Sequence, residues 1–277
     1  MSPLLRTRLE RILTDGERPR LGCCYRVSVE PCLQQGPQCG LIALLMAGRT
    51  LTVAPNPVTI SDLMEQAKQL RLTNHGEMFS AEYIRTISMQ GFPDLLATVG
   101  TFDSNSPTKS EAQILHHLSV GSLLLIPYDT DKNHEPCLND GHTAHWALVT
   151  GFLIVHRFSD ENALIEMCAT LTNNNGLNFS CSPCPEFSNL FDIGPKDLTN
   201  FCRWNNNLTV SNATVYLFAL HGKSKHPAVW LASDLLASNA NLHNVGEKRL
   251  TDGLSYVIPT EGIGRTLRNK FVVLSKS

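Results

Sequence analysis

The sequence predicts an α+β fold with a helical front half and a strand-rich rear half. Up to Leu118, apolar residues recur at helical spacing behind capping residues; after Gly121 they gather into short runs closed by proline or glycine. The chain has 277 residues, 42% of them hydrophobic and 17% charged, enough to bury a substantial core. With 23 Lys plus Arg against 25 Asp plus Glu, the net charge is -2. No basic excess marks a nucleic-acid partner, and no apolar run approaches the length of a membrane span.

Residues 1–13 read as an amphipathic helix carrying Leu5, Leu9, Ile12 and Leu13, which Gly16 to Pro19 break; residues 1–20 are expected to form an N-terminal docking arm. The main domain then runs over 21–277. Its first helix begins at Cys39, behind Gly36-Pro37, and ends at Gly48. A second opens at Ser61, with Glu65 behind it, and runs through Leu72. Ser80 caps a third helix carrying Tyr83, Ile84 and Ile87, and a fourth covers Ser110 to Leu118.

Ser122 to Tyr128 and Trp146 to Val155 are strand candidates, joined by a polar loop from Asp129 to Thr143. Residues 156–212, rich in Asn and carrying Cys181-Ser-Pro-Cys184, read as an insertion rather than core. The pattern resumes with a strand at Thr214 to Leu220, a helix at Ala228 to Ser238, and strands near Tyr256 to Ile258 and Phe271 to Leu274.

The residues that carry chemistry lie at two of these junctions. Gln34-Gln35-Gly36-Pro37-Gln38-Cys39-Gly40 delivers a cysteine to the start of an apolar helix. Unpaired amides and the positive end of the helix dipole there favour a thiolate, and Gly40 leaves room for a substrate carbonyl. The plainer reading is a buried structural cysteine. In Asp140-Gly141-His142-Thr143-Ala144-His145-Trp146, His145 leads a strand, which fixes its ring as a general base must be fixed, while Trp146 points to the other face. Taken alone, His145 also suits a structural role, and His142 falls in the loop. A cysteine heading a helix, followed about a hundred residues later by a histidine leading a strand, is the layout of a two-lobed papain-like thiol hydrolase.

Gly36-Pro37-Gln38-Cys39-Gly40-Leu41-Ile42-Ala43-Leu44 and His145-Trp146-Ala147-Leu148-Val149-Thr150-Gly151 resemble the papain-like peptidases, including bacteriocin-leader peptidases. Together with Gly76-Glu77-Met78-Phe79-Ser80, His221-Gly222-Lys223-Ser224-Lys225 and Ser233-Asp234-Leu235-Leu236-Ala237-Ser238-Asn239, they are similar to the actin maturation proteases within that group. The resemblance implies a papain-like two-lobed fold, with a helical N-terminal lobe and an antiparallel β-sheet C-terminal lobe. It implies a cytosolic cysteine-type aminopeptidase that removes an acetylated methionine or acetylated cysteine from immature actin, with no cofactor and no metal.

Residue by residue, Cys39 carries over as nucleophile and His145 as base. Gln34, Gln35 and Gln38 compete for the oxyanion role, with Gln34 favoured. The residue that orients the histidine has no clear equivalent: either Asp160 or Asn162, which have workable spacing, or a position that the long insertion moves toward His221, and the choice stays open. Such proteases can carry a proline-rich extension that engages profilin; this sequence begins Met-Ser-Pro without a polyproline run, so profilin is the one implied partner these residues do not support.

Other constellations are weaker. Cys181 and Cys184, with Cys168 and Cys202, supply one tight pair where a zinc knuckle needs two. Nine cysteines, an odd number without regular spacing, fit a reducing compartment, and residues 1–15 lack the pattern of a secretory signal. The same Cys-His chemistry serves acyl transferases, transglutaminases and other hydrolases, and a non-enzymatic actin-binding module is the remaining alternative.

Overall fold

The computed structural model describes residues 1–53, 57–173, 176–207 and 213–277. Its centre is a mixed nine-stranded sheet in the order β2-β9-β3-β4-β1-β6-β5, with β7 on the second edge of β4 and β8 beyond it. The strands are β1 (Arg20–Arg26), β2 (Leu95–Thr101), β3 (Leu123–Asp129), β4 (Ala144–Arg157), β5 (Cys181–Pro183), β6 (Leu190–Ile193), β7 (Thr214–Leu220), β8 (Ala228–Leu231) and β9 (Lys270–Lys276). β4 is the spine. Along one edge it pairs first with β3 and then with β1, while β7 holds the other edge.

Gly151 sits where β4 leaves β3 for β1, beside a register shift in the pairing with β7. A Cβ at that position would come within 2.1 Å of the Tyr25 carbonyl oxygen, so the close approach of β1 requires glycine.

Helices cover both faces. α2 (Cys39–Leu51), α3 (Ile60–Gln69) and α4 (Ala81–Gly91) pack on the face bearing Leu123, Leu125, Trp146, Leu148 and Val272. α5 (Pro107–Ser119) and α8 (Ala232–Ala240) pack on the face bearing Leu124, Ile126, Ala147, Val149 and Phe271. α1 (Pro3–Thr14) buries Leu5, Leu9 and Leu13 against Cys24, Leu153, Leu190 and Phe218. Three such leucines contribute about 1.5–3 kcal/mol each. The first helix is therefore seated on the sheet of its own chain, and its Arg8 donates to Glu135 in the 130–143 loop.

The strands at Leu123–Asp129, Thr214–Leu220 and Lys270–Lys276 and the Ser80-capped helix lie where the sequence predicts them. Several other expectations need correcting. The division into a helical front and an antiparallel rear holds in part only: β1 and β2 come from the front half, and β1 pairs with β6 in parallel. α2 continues past Gly48 to Leu51, and α3 starts one residue before Ser61, because Thr59 and Asp62 form the capping box.

Ala228 to Leu231 extend as β8 before the helix begins, since Trp230 and Val229 pair across to Leu217 and Phe218. Tyr256 to Ile258 form no strand; that segment is anchored by the Val257 amide on Glu77 instead. The 156–212 stretch, of which 174, 175 and 208–212 lie outside the described residues, contributes α6 (Glu161–Asn173), β5, β6 and α7 (Leu198–Asn207). It is core in part: Leu171, Phe179, Phe191, Leu198 and Phe201 are buried with Phe152 and Ile154.

Candidate active site

The turn through Gly36, at φ +66°, brings the chain into α2 with Cys39 as its first helical residue. Gln38 makes no side-chain cap, so the first-turn amides are left for another acceptor. Cys39 is 6% exposed. Its crevice is walled by Met78, Phe79, Ala144, Trp146, Arg249 and Leu267, and the open space is about 10 Å³, the room of one water.

Gly40 does not make space for a substrate carbonyl: a Cβ there would meet the Met78 Cβ at 2.9 Å, so the glycine admits Met78 against the helix. The expected thiolate is corrected as well. Burial pushes the Cys39 thiol up, and this outweighs Arg249, the Trp146 and Gly40 amides and Lys223, which all pull it down.

His145 is the second residue of β4 and is also 6% exposed. As the alternation of a strand requires, Trp146 turns to the α2 face, where its Nε1 donates to the Met78 carbonyl at 2.8 Å. His145 turns the other way, toward Tyr128, His134 and His221, with ring centroids 5.7, 5.8 and 6.2 Å away. Its Nε2 lies 2.7 Å from the His221 carbonyl oxygen. A carbonyl only accepts, so Nε2 carries the proton and Nδ1 holds the free lone pair. Burial lowers the imidazole to about 4, opposed by the bond to His221 and reinforced by Lys223 and Arg249.

Cys39 and His145 thus point away from each other across the start of β4. The sulfur lies by the amide that follows His145, and the two residues flanking His145 line the sulfur's crevice. Both side chains feel the same two cations, Arg249 and Lys223. No hydrogen bond joins sulfur and ring in this structure.

Of the three glutamines, Gln34 is the one fixed at this corner. Its amide donates to the Gly222 carbonyl at 2.8 Å, one residue from the carbonyl that holds His145, and its Nε2 donates to Gly36 at 2.8 Å. The Gln34 Oε1 is buried without a partner. Gln35 is exposed, and Gln38 faces a larger cavity of about 420 Å³ beside Ile60, Met64 and Lys68. Asp160 and Asn162 are not at the site: they follow β4 at the end opposite His145, where Asp160 is exposed and accepts from the Ala163 amide. The His221 backbone occupies the place sought for an Asn or Asp side chain.

Two buried carboxylates escaped the sequence reading as organisers. Glu77 accepts from the Thr73 hydroxyl at 2.7 Å and from the Asn74, His75 and Val257 amides at 3.0, 2.8 and 2.9 Å. Those hydrogen bonds hold its carboxyl below the usual range against the cost of burial. Asp129 accepts from the Asn139, Gly141 and Thr143 amides at 2.6, 2.9 and 3.1 Å and from the Thr143 hydroxyl at 2.8 Å. It shapes the loop that leads into His145. The signal available was, for Glu77, an acid between a glycine and an apolar pair and, for Asp129, an acid closing an apolar run, both too common to single out.

All nine cysteines are free. Cys181 and Cys184 pack into different core clusters, so the Cys-x-x-Cys pair is split. Among the described residues, no group of three or more His, Cys, Asp or Glu is arranged to hold a metal ion, and no helix is long and apolar enough to cross a membrane.

Residues 29–153 match the family model described as actin maturation protease-like, C-terminal domain. The relatives this chain is similar to include several named Actin maturation protease. That of Xenopus tropicalis is 31% identical, covering 90% of this chain and 72% of the relative. Those of Mus musculus and Homo sapiens are 32% and 33% identical over 88% of this chain in each case, and the match spans 61% and 63% of their lengths. No solved structure matches.

Proposed function

The chain belongs to the actin maturation protease family, and from that premise we propose that it is a cysteine-type aminopeptidase that removes the acetylated methionine or acetylated cysteine from immature actin. The observation that carries the proposal is the shared corner: the Cys39 sulfur beside the His145–Trp146 peptide, with His145 tethered through Nε2 so that Nδ1 is free to take a proton. The fold we assign to this chemistry is a papain-like one, in which the α2 side supplies the nucleophile and the sheet supplies the base.

Burial favours the neutral form of both partners, thiol and imidazole. When a substrate carbonyl reaches the sulfur, the thiol proton passes to Nδ1 of His145 and an S–C bond forms. The charges appear as a pair, so neither burial penalty is met alone. The first-turn amides of α2 and the second Nε2 hydrogen of Gln34 are the donors offered to the oxyanion.

The tetrahedral species collapses by breaking the C–N bond, and the imidazolium gives its proton to the leaving amine. Water, deprotonated by His145, then attacks the thioester, the S–C bond breaks, and the acetylated amino acid and free thiol are released. No step calls for a metal or organic cofactor. The nine free cysteines suit a cytosolic setting.

Incubating the purified protein with acetylated actin N-terminal peptides and with intact actin tests the reading by mass spectrometry. Release of the free N-acetyl amino acid by the wild type, and not by Cys39→Ala, is the expected result. An intact substrate would refute the peptidase; a product joined to an added amine would reassign it as an acyl transferase. Actin binding with an unreactive Cys39 would reduce it to a binding module.

A further inference from the structure

Arg249, in the short helix α9 (Glu247–Thr251), forms part of the wall of the Cys39 crevice. Its guanidinium carbon lies 5.5 Å from the Phe79 ring centroid and 5.7 Å from that of Tyr256. Cation–π contacts of this kind hold the group without using its N–H donors in hydrogen bonds, which leaves them for an acceptor. None has taken them: Arg249 makes no ion pair or side-chain hydrogen bond among the described residues. The acids nearby are committed elsewhere. Glu77, on the same crevice, is occupied by the four donors described above, and Asp252 accepts from the Tyr256 hydroxyl at 2.6 Å and the Leu254 amide at 2.9 Å. Lys223, exposed two residues beyond His221, adds a second cation to the field over the site.

A cation with free donors, pinned on two rings at the wall of a reactive sulfur, is a receptor for a carboxylate. We propose that Arg249 is a specificity-determining residue that engages an acidic side chain next to the scissile bond, with Lys223 supporting it, so that the site selects acidic peptides. The inference rests on the peptidase reading above. An alternative role for Arg249, acting only on the thiol or only as cover for the two rings, would alter cleavage of every peptide alike.

The test uses the full chain and three acetylmethionyl peptides, amidated at the C-terminus so that the only variable carboxylate is a side chain, with Glu, Gln or Lys after the methionine. The wild type is expected to favour the Glu peptide over the Gln peptide by about fivefold in kcat/KM, the scale of one partly exposed ion pair. Arg249→Gln should bring that ratio close to one, Arg249→Lys should keep most of it, and Arg249→Glu should turn the preference toward the Lys peptide. Equal wild-type rates on the Glu and Gln peptides would overturn the proposal, as would variants that slow all three peptides with the ratio unchanged. If the wild type cleaves none of the three peptides but does process intact actin, the claim that Arg249 reads a short acidic segment fails while the peptidase reading stands. Cleavage of neither would sink the peptidase reading itself.

Discussion

Cys39 and His145 lie on different sides of the first residues of β4, the sulfur on the α2 side with Trp146 and the imidazole toward Tyr128, His134 and His221, and are held in place by different means. The sulfur is positioned by its neighbours in sequence: the Gly36 turn, the uncapped start of α2 and the glycine that follows. The imidazole is positioned by distant chain, through the His221 carbonyl and the rings of Tyr128 and His134. Each side also has its own buried carboxylate. Glu77 ties the Met78–Phe79 wall of the sulfur to Val257, far along the chain, while Asp129 closes the local loop from Asn139 to Thr143. Local positioning leaves a trace in sequence; positioning by remote backbone leaves almost none.

Breaking either side at its centre should have the largest effect. Cys39→Ala and His145→Ala are each expected to lower kcat/KM by at least about 10⁴-fold, and the double variant should be little worse than either single one, because the two act as a unit. Additive losses in single-turnover assays would mean that the two side chains work separately.

The carboxylates sharpen the contrast. Glu77→Ala and Asp129→Ala each orphan several buried donors and should cost about 3 kcal/mol of stability, read as a lowered denaturant midpoint. Only Glu77→Ala should also speed alkylation of Cys39 by iodoacetamide, since only it frees the wall over the sulfur. Equal alkylation rates in both variants would erase the distinction between the two sides.

Gln34→Ala should lower kcat by about 10²-fold with KM nearly unchanged, as expected for a donor used only in the transition state. A change confined to KM would reassign Gln34 to ground-state binding.

The smallest expected effect is on pH dependence. His145, His156 and His221 are each lowered by burial to about 4, from an ordinary value of 6.5. Between those values the unfolded chain binds protons that the folded one refuses, so stability is full above about 6.5 and falls as pH drops toward 4. Thermal melts across that window check the sign; a melting temperature that holds steady or rises on acidification would contradict the buried, neutral state of these rings.

Much of the fold was legible where apolar runs are long and bounded. β3, β7 and β9 declare themselves through Val, Leu and Phe between turn residues, and α4 through its Ser80 cap. β1 was hidden because Arg20-Leu21-Gly22-Cys23-Cys24-Tyr25-Arg26 has charged ends and a central glycine; its strand character comes from lying between β4 and β6. β2, seven residues with a glycine near its end, is likewise made by pairing with β9. The buried aromatics of 156–212 were masked by the Asn-rich residues around them.

At the candidate site, the sequence singled out Cys39 and His145 and argued for a thiolate at the sulfur. A helix start argues for a thiolate, and burial, invisible in a linear string, argues more strongly for a thiol. The backbone group that orients His145 could not be read from residue types at all, because any residue at position 221 offers the same carbonyl.

The most direct measurement is labelling with an electrophile built on acetylmethionine, followed by peptide mapping of all nine cysteines. The account predicts rapid modification of Cys39 alone, slowed strongly in His145→Ala and accompanied by loss of actin processing. Preferential labelling of another cysteine, or full processing after Cys39 is blocked, would contradict it.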